Sequence, residues 1–94
     1  MLTLEQIKKA AEQVAKNYPL TKVSVFGSYA SGTATEESDL DLLVEFTTDT
    51  VSLLDIIGVK YDFEDLLNKS VDVLHAPLPE NSHLIINKEV RVYG

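Results

Sequence analysis

Cysteine is missing from the 94 residues, and with it go disulfide bridges, zinc–thiolate sites and thiol catalysis. Long apolar runs are missing too. None approaches the ~18 residues of a membrane span, and the amphipathic first 16 residues have no signal-peptide core, so a cytoplasmic location is expected. Positive charge is scarce: 8 Lys and Arg stand against 15 Asp and Glu, a formal net charge of −7. Such a surface repels phosphate backbones, so neither direct nucleic-acid binding nor a membrane is an expected partner. It suits metal ions, cationic partners or a nucleotide that brings its own Mg²⁺, and it also keeps a small protein soluble.

What is present describes one globular unit. With 45% hydrophobic and 24% charged residues, 1–94 reads as a single domain with one modest core. Thr3 is placed as an N-cap, with Gln6 as the reciprocal partner of a capping box and Leu2 able to staple onto Ile7. Leu4, Ile7, Ala11, Val14 and Tyr18 recur at helical spacing until Pro19 stops the helix. Strands are predicted over 22–26, 39–46 and 71–75, with a helical turn at 28–32 and a polar loop over 33–38. A helix over 51–67, capped by Asp49 or Thr50, is weakened by ~1 kcal/mol at Gly58, and Asn68 is a left-handed C′ residue. A short helix over 80–89 and an edge strand over 90–93 complete the chain. Interleaved helices and strands predict an α/β (α+β) domain, one sheet covered by helices. The strand over 39–46 follows its predecessor too closely for a helical crossover, so the sheet is expected to be mixed.

The chemistry concentrates in Phe26-Gly27-Ser28 and Ser38-Asp39-Leu40-Asp41-Leu42-Leu43-Val44. Aspartate is disfavoured in strands, yet two occur here at alternating positions. A period of two puts Asp39 and Asp41 on one face, ~7 Å apart along the backbone, and Leu40, Leu42 and Val44 on the other. Carboxylates so spaced can share a pair of divalent ions ~3.5–4 Å apart. An isolated Asp-x-Asp can equally face solvent or cap a turn. Gly27 and Ser28, after a strand and opening a helical turn, offer N–H groups and a hydroxyl to an anion, although Gly-Ser alone is also an ordinary turn. No Lys or Arg occurs from Val23 to Val59, so a triphosphate here would rely on metal ions and backbone amides. Asp72, inside the β-branched run Val71-Asp72-Val73, completes a triad if its strand lies beside the Asp39–Asp41 strand; at an edge it is merely exposed.

Jointly, Gly27-Ser28, Ser38-Asp39-Leu40-Asp41-Leu42-Leu43-Val44 and Asp72 resemble the signature of the polymerase-β-type nucleotidyltransferases, and the short chain is similar to their minimal prokaryotic members. The resemblance implies a polymerase-β-like fold in which Gly27 and Ser28 contact the nucleotide phosphates. Asp39, Asp41 and Asp72 would be the catalytic acids and Mg²⁺ ligands, two ions being expected. It also implies ATP as donor and a toxin–antitoxin role, with AMP attached to a helical RNase toxin of the HEPN type. The alternatives are an antitoxin that inhibits by occlusion, and a nucleotide sensor without transfer. In one place the chain departs from the pattern: Ser31 stands where the family often carries Arg or Lys.

Other polar residues have plainer readings. His75 and His83 lack a spaced second ligand, and Glu36-Glu37 and Glu64-Asp65 are expected to be solvated. Glu45 shares the Asp39/Asp41 face but lies farther along, and Arg91, the single arginine, is expected at the surface.

Overall fold

The structure, a computed structural model, describes residues 2–48, 50–75 and 89–94. The first helix, α1 (Leu4–Ala15), opens on the expected capping box: Thr3 accepts from the Gln6 N–H, and Gln6 accepts from the Thr3 N–H. Ile7, Ala10, Ala11 and Val14 form its buried face. The helix stops sooner than the periodicity predicts, before Tyr18. Val14 C=O accepts from both Asn17 and Tyr18, at 3.0 and 3.2 Å, closing the last turn ahead of Pro19. The Tyr18 ring instead packs over Gly58, where any Cβ would collide with its hydroxyl. This close approach explains a glycine inside the later helix, where propensity alone disfavours it.

Strand β1 (Leu20–Phe26) starts two residues earlier than expected and runs through the middle of the sheet. Val23, Val25 and Phe26 are buried, as a strand flanked on both edges and covered on its faces requires. It leads into α2 (Ser28–Ser31), a single helical turn, and a loop over 33–38 follows. Strand β2 (Leu40–Phe46) alternates as predicted: Leu40, Leu42 and Val44 are wholly buried and Asp41, Leu43 and Glu45 are less so. The second long helix, α3 (Leu53–Leu67), is capped by neither Asp49 nor Thr50; Asp49 lies outside the described residues. Ser52 takes that role in a capping box with Asp55. Serine serves because its hydroxyl oxygen reaches the N–H of the third helical residue, which Thr50 is too far upstream to do. Asn68 adopts the expected left-handed conformation, φ 51°, and β3 (Val71–His75) follows.

The sheet is four-stranded and mixed, in the order β3-β2-β1-β4, where β4 is Val90–Tyr93. β1 runs antiparallel to β2 and to β4, while β2 and β3 are parallel, joined by the α3 crossover. Val59, Phe63 and Leu67 of α3 join α1 and the buried strand residues in one core. Of the helix expected over 80–89, residues 80–88 lie outside the described residues; Glu89 is not helical and its carboxylate pairs with Lys22 at 3.0 Å. Among the described residues no helix is long and apolar enough to cross a membrane.

This topology brings three chain segments to one end of the sheet. Since β1 is antiparallel to β2 and β2 parallel to β3, the C-terminal end of β1 and the N-terminal ends of β2 and β3 coincide.

Candidate active site

Register places the acids. Phe26 pairs with Asp41 across β1 and β2, and Asp41 pairs with Asp72 across β2 and β3. Directly opposed residues in a ladder send their side chains to the same face, so Asp41 and Asp72 share one. Both conditions raised for the Asp72 strand are met: it lies beside the strand carrying Asp41 and is itself an edge of the sheet. Asp39 precedes β2 instead of belonging to it, and is exposed. Asp41 is half-buried and Asp72 exposed. Burial, then the neighbouring charge of Asp72, then that of Asp39 push the Asp41 carboxyl above the ordinary aspartate range. That carboxylate therefore senses both of the other acids.

The acids assemble without closing into a cage. Among the described residues no three carboxylate or imidazole side chains stand close enough to hold one ion between them. Of the three expected acids, Asp41 and Asp72 are set by the ladder, whereas Asp39 sits on the loop side of it. The donor set nevertheless fits a divalent cation. Carboxylate oxygens are the ligands that Mg²⁺ favours, and a cation beside Asp41 would offset the like charges of Asp72 and Asp39.

The turn after β1 stands directly against this carboxylate. Gly27 has φ 72° and ψ −148°, a conformation reserved almost entirely for glycine, and an added Cβ would lie 2.5 Å from Asp41 Oδ2. Absence of a side chain thus lets the turn close onto the acid. The Gly27 carbonyl accepts from Ala30 and Ser31, at 3.1 and 3.0 Å, winding α2 from the turn. Gly27 provides no side-chain cap, which leaves the first N–H groups of α2 for another acceptor. Ser28, at the head of the turn, is partly exposed.

Ser31, where a cation was the family expectation, uses its hydroxyl locally: it donates to Ser28 C=O at 3.3 Å and lies 2.9 Å from the Thr33 hydroxyl. A cation does approach from elsewhere. Lys69 Nζ lies 5.9 Å from the centroid of the Tyr29 ring and donates to Glu36 C=O at 2.9 Å, tying α2 and the loop before Asp39 to the α3–β3 turn. Sequence reasoning missed Lys69 because its partner is 33 residues away. It also misread Glu64. Far from being a purely solvated charge, its Oε2 accepts from Val71 N–H at 3.0 Å and from Lys60 Nζ at 3.2 Å, and these contacts hold its carboxyl below the usual range.

Among the described residues, the other candidates are engaged elsewhere. His75 packs edge-on against Phe46, with centroids 5.5 Å apart. Glu45 faces Lys22 at 3.7 Å, and Arg91 donates to Gly94 C=O at 3.3 Å. His83 lies outside the described residues.

In sequence and in fold the chain is similar to known proteins. Residues 7–93 match the family model described as a nucleotidyltransferase domain. Relatives are named protein adenylyltransferases; one, a candidate of that kind from Methanocaldococcus jannaschii, is 40% identical over 73 residues, covering 78% of this chain and 77% of the relative. Among solved structures, a toxin–antitoxin crystal structure with AMP-PNP superimposes with a TM-score of 0.74 at 19% identity, covering 93% of this chain and 73% of the other. A tri-AMPylated HEPN toxin from Shewanella oneidensis in complex with an MNT antitoxin gives 0.68 at 15% identity, covering 98% and 73%. At such identity these two likenesses speak for the fold. The family match spans Gly27, Asp41 and Asp72 at that end of the sheet, and the chain accordingly belongs to the nucleotidyltransferases, as an enzyme of their minimal, polymerase-β-like kind.

Proposed function

We propose that residues 1–94 act as one minimal domain, a cytoplasmic Mg²⁺-dependent protein adenylyltransferase that moves AMP from ATP onto a hydroxyl of a HEPN-type RNase toxin and so serves as its antitoxin. The observation that carries the reading is the meeting of Gly27, just after β1, with Asp41 on β2 and Asp72 on β3, the glycine turn closed against a carboxylate whose pKa burial and then its acidic neighbours raise. The names of the relatives support adenylyl transfer to protein, and the AMPylated toxin bound to an MNT antitoxin supports the partner.

In this mechanism Ser28 and the leading N–H groups of α2 hold the outer phosphates. Asp39 and Asp41 would hold Mg²⁺, and Asp72 would join Asp41 in doing so. When bound, the ions supply charge neutralisation on the phosphates and a lowered pKa for the acceptor hydroxyl. The hydroxyl oxygen forms the new bond to the α-phosphorus as the bond to the pyrophosphate oxygen breaks in line, and Asp72 takes the hydroxyl proton. The small acidic surface leaves the acceptor to be presented by the partner protein.

A second reading, inhibition by occlusion, draws on the apolar side chains that α3 exposes: Leu53, Leu54 and Tyr61 are 70%, 79% and 58% accessible. Neutralisation of the toxin RNase by wild type and Asp39→Asn separates the two. Loss of neutralisation in the variant, with loss of α-phosphate label on the toxin, is the expected result; full neutralisation without label would favour occlusion.

A further inference from the structure

We propose that Glu64 is a positioning residue for Asp72: by accepting the Val71 N–H it fixes the peptide on which the third acid is carried, and so holds Asp72 opposite Asp41. The inference rests on the adenylyl-transfer reading above, because it concerns the placement of an acid which that reading uses.

The peptide joining Ser70 and Val71 is planar and trans, so its C=O and N–H point in opposite directions. Its C=O accepts from the Leu40 N–H at 3.1 Å, which ties it to β2 one residue before Asp41. Its N–H donates to Glu64 Oε2 at 3.0 Å, which ties it to α3. One peptide unit is thus gripped from both sides, and Asp72 is the second residue of the strand that it opens. β3 ends the sheet order, so an N–H turned away from β2 has to find its acceptor outside the ladder. A carboxylate makes the stronger, charge-assisted bond. Lys60 holds the same oxygen from one turn earlier in α3, Nζ to Oε2 3.2 Å. Asp72 itself is exposed, so the backbone beneath it carries most of its placement. Release of the Val71 N–H leaves the first peptide of β3 held only from the β2 side, and slackening at that end of the ladder shifts Asp72 relative to Asp41.

The test compares full-length wild type with Glu64→Ala, Glu64→Gln and Lys60→Met. Alanine removes the acceptor, glutamine keeps an acceptor oxygen without the charge, and Lys60→Met leaves the carboxylate in place. Three quantities are read: Val71 amide exchange, the Mn²⁺-induced broadening of Asp72 resonances relative to those of Asp41, and the kcat and KM of AMP transfer. In Glu64→Ala the Val71 amide is expected to exchange about tenfold faster, Mn²⁺ broadening at Asp72 to fall against that at Asp41, and kcat to drop about tenfold or more. KM for ATP should move little, since Gly27 and Ser28 lie on the far side of Asp41. Glu64→Gln and Lys60→Met should stay within about threefold of wild type in all three. Should Glu64→Ala fail to fold, Glu64→Asp is read in its place, its carboxylate one methylene short of Val71. Unchanged Val71 exchange and Asp72 broadening in the shortened variant would overturn the proposal, as would a glutamine variant as impaired as alanine. If wild type transfers no AMP at all, the enzymatic reading fails while exchange and Mn²⁺ broadening still decide the role of Glu64.

Discussion

At Gly27 the requirement for a particular residue is steric and conformational at once: φ is 72° and the Asp41 oxygen occupies the space of a Cβ. Gly27→Ala therefore has to relocate either the turn or the acid. A displacement of ~1 Å costs on the order of 10² in rate in oriented catalysis, and AMP transfer by Gly27→Ala should fall by about that factor while circular dichroism stays native-like. Asp41 has the opposite problem. Burial and its acidic neighbours raise its carboxyl pKa, so the fold prefers the protonated form and pays for the ionised one at neutral pH. Asp41→Asn is expected to melt higher than wild type in chelator at pH 7, and added Mg²⁺ to raise the wild-type Tm but not that of the variant. Equal melting temperatures in chelator, or an equal response to Mg²⁺, would contradict this. Of these two residues the sequence displayed identity and spacing; the approach of one to the other came only with the strand register.

Elements differ in how much of them could be read. α1 announced its start because all parts of its capping box are local, Thr3 to Gln6, whereas its end was set by Val14 C=O capturing two successive N–H groups. The alternation in β2 was legible because one face is wholly buried, and β3 because β-branched residues surround Asp72. Less visible was the α3–β3 connection, whose contacts follow no helical or strand period: Lys69 to Glu36, 33 residues away, and Glu64 to Val71, across the turn between helix and strand. Glu64 makes that connection sensitive to acid. The Val71 N–H, and then Lys60, depress its carboxyl pKa, so its contribution is fully present above the unfolded value, ~4.3 for glutamate, and is lost as pH falls through the lower native value. Glu64→Gln should melt below wild type at pH 7. The gap should begin to narrow below about pH 5 and close in stronger acid; a gap independent of pH would show that the carboxylate charge is not its source.

On the scale of the molecule, a short acidic chain spends its core on one four-stranded sheet and gathers its chemistry at one end of it. The composition already excluded thiol chemistry, and the order of elements pointed to a mixed sheet, both from the sequence alone. The meeting of Asp41 with Asp72 could not be read there, since residues 31 positions apart pair through the α3 crossover. The claim most exposed to test is that these acids transfer a nucleotidyl group. Parallel incubations with the HEPN-type partner, Mg²⁺ and ATP labelled on either the α- or the γ-phosphate measure it directly. The account predicts stable label on the partner from the α-phosphate alone, reduced at least about a hundredfold in Asp39→Asn, Asp41→Asn and Asp72→Asn. Label arriving from the γ-phosphate, or wild-type transfer by Asp72→Asn, would contradict it.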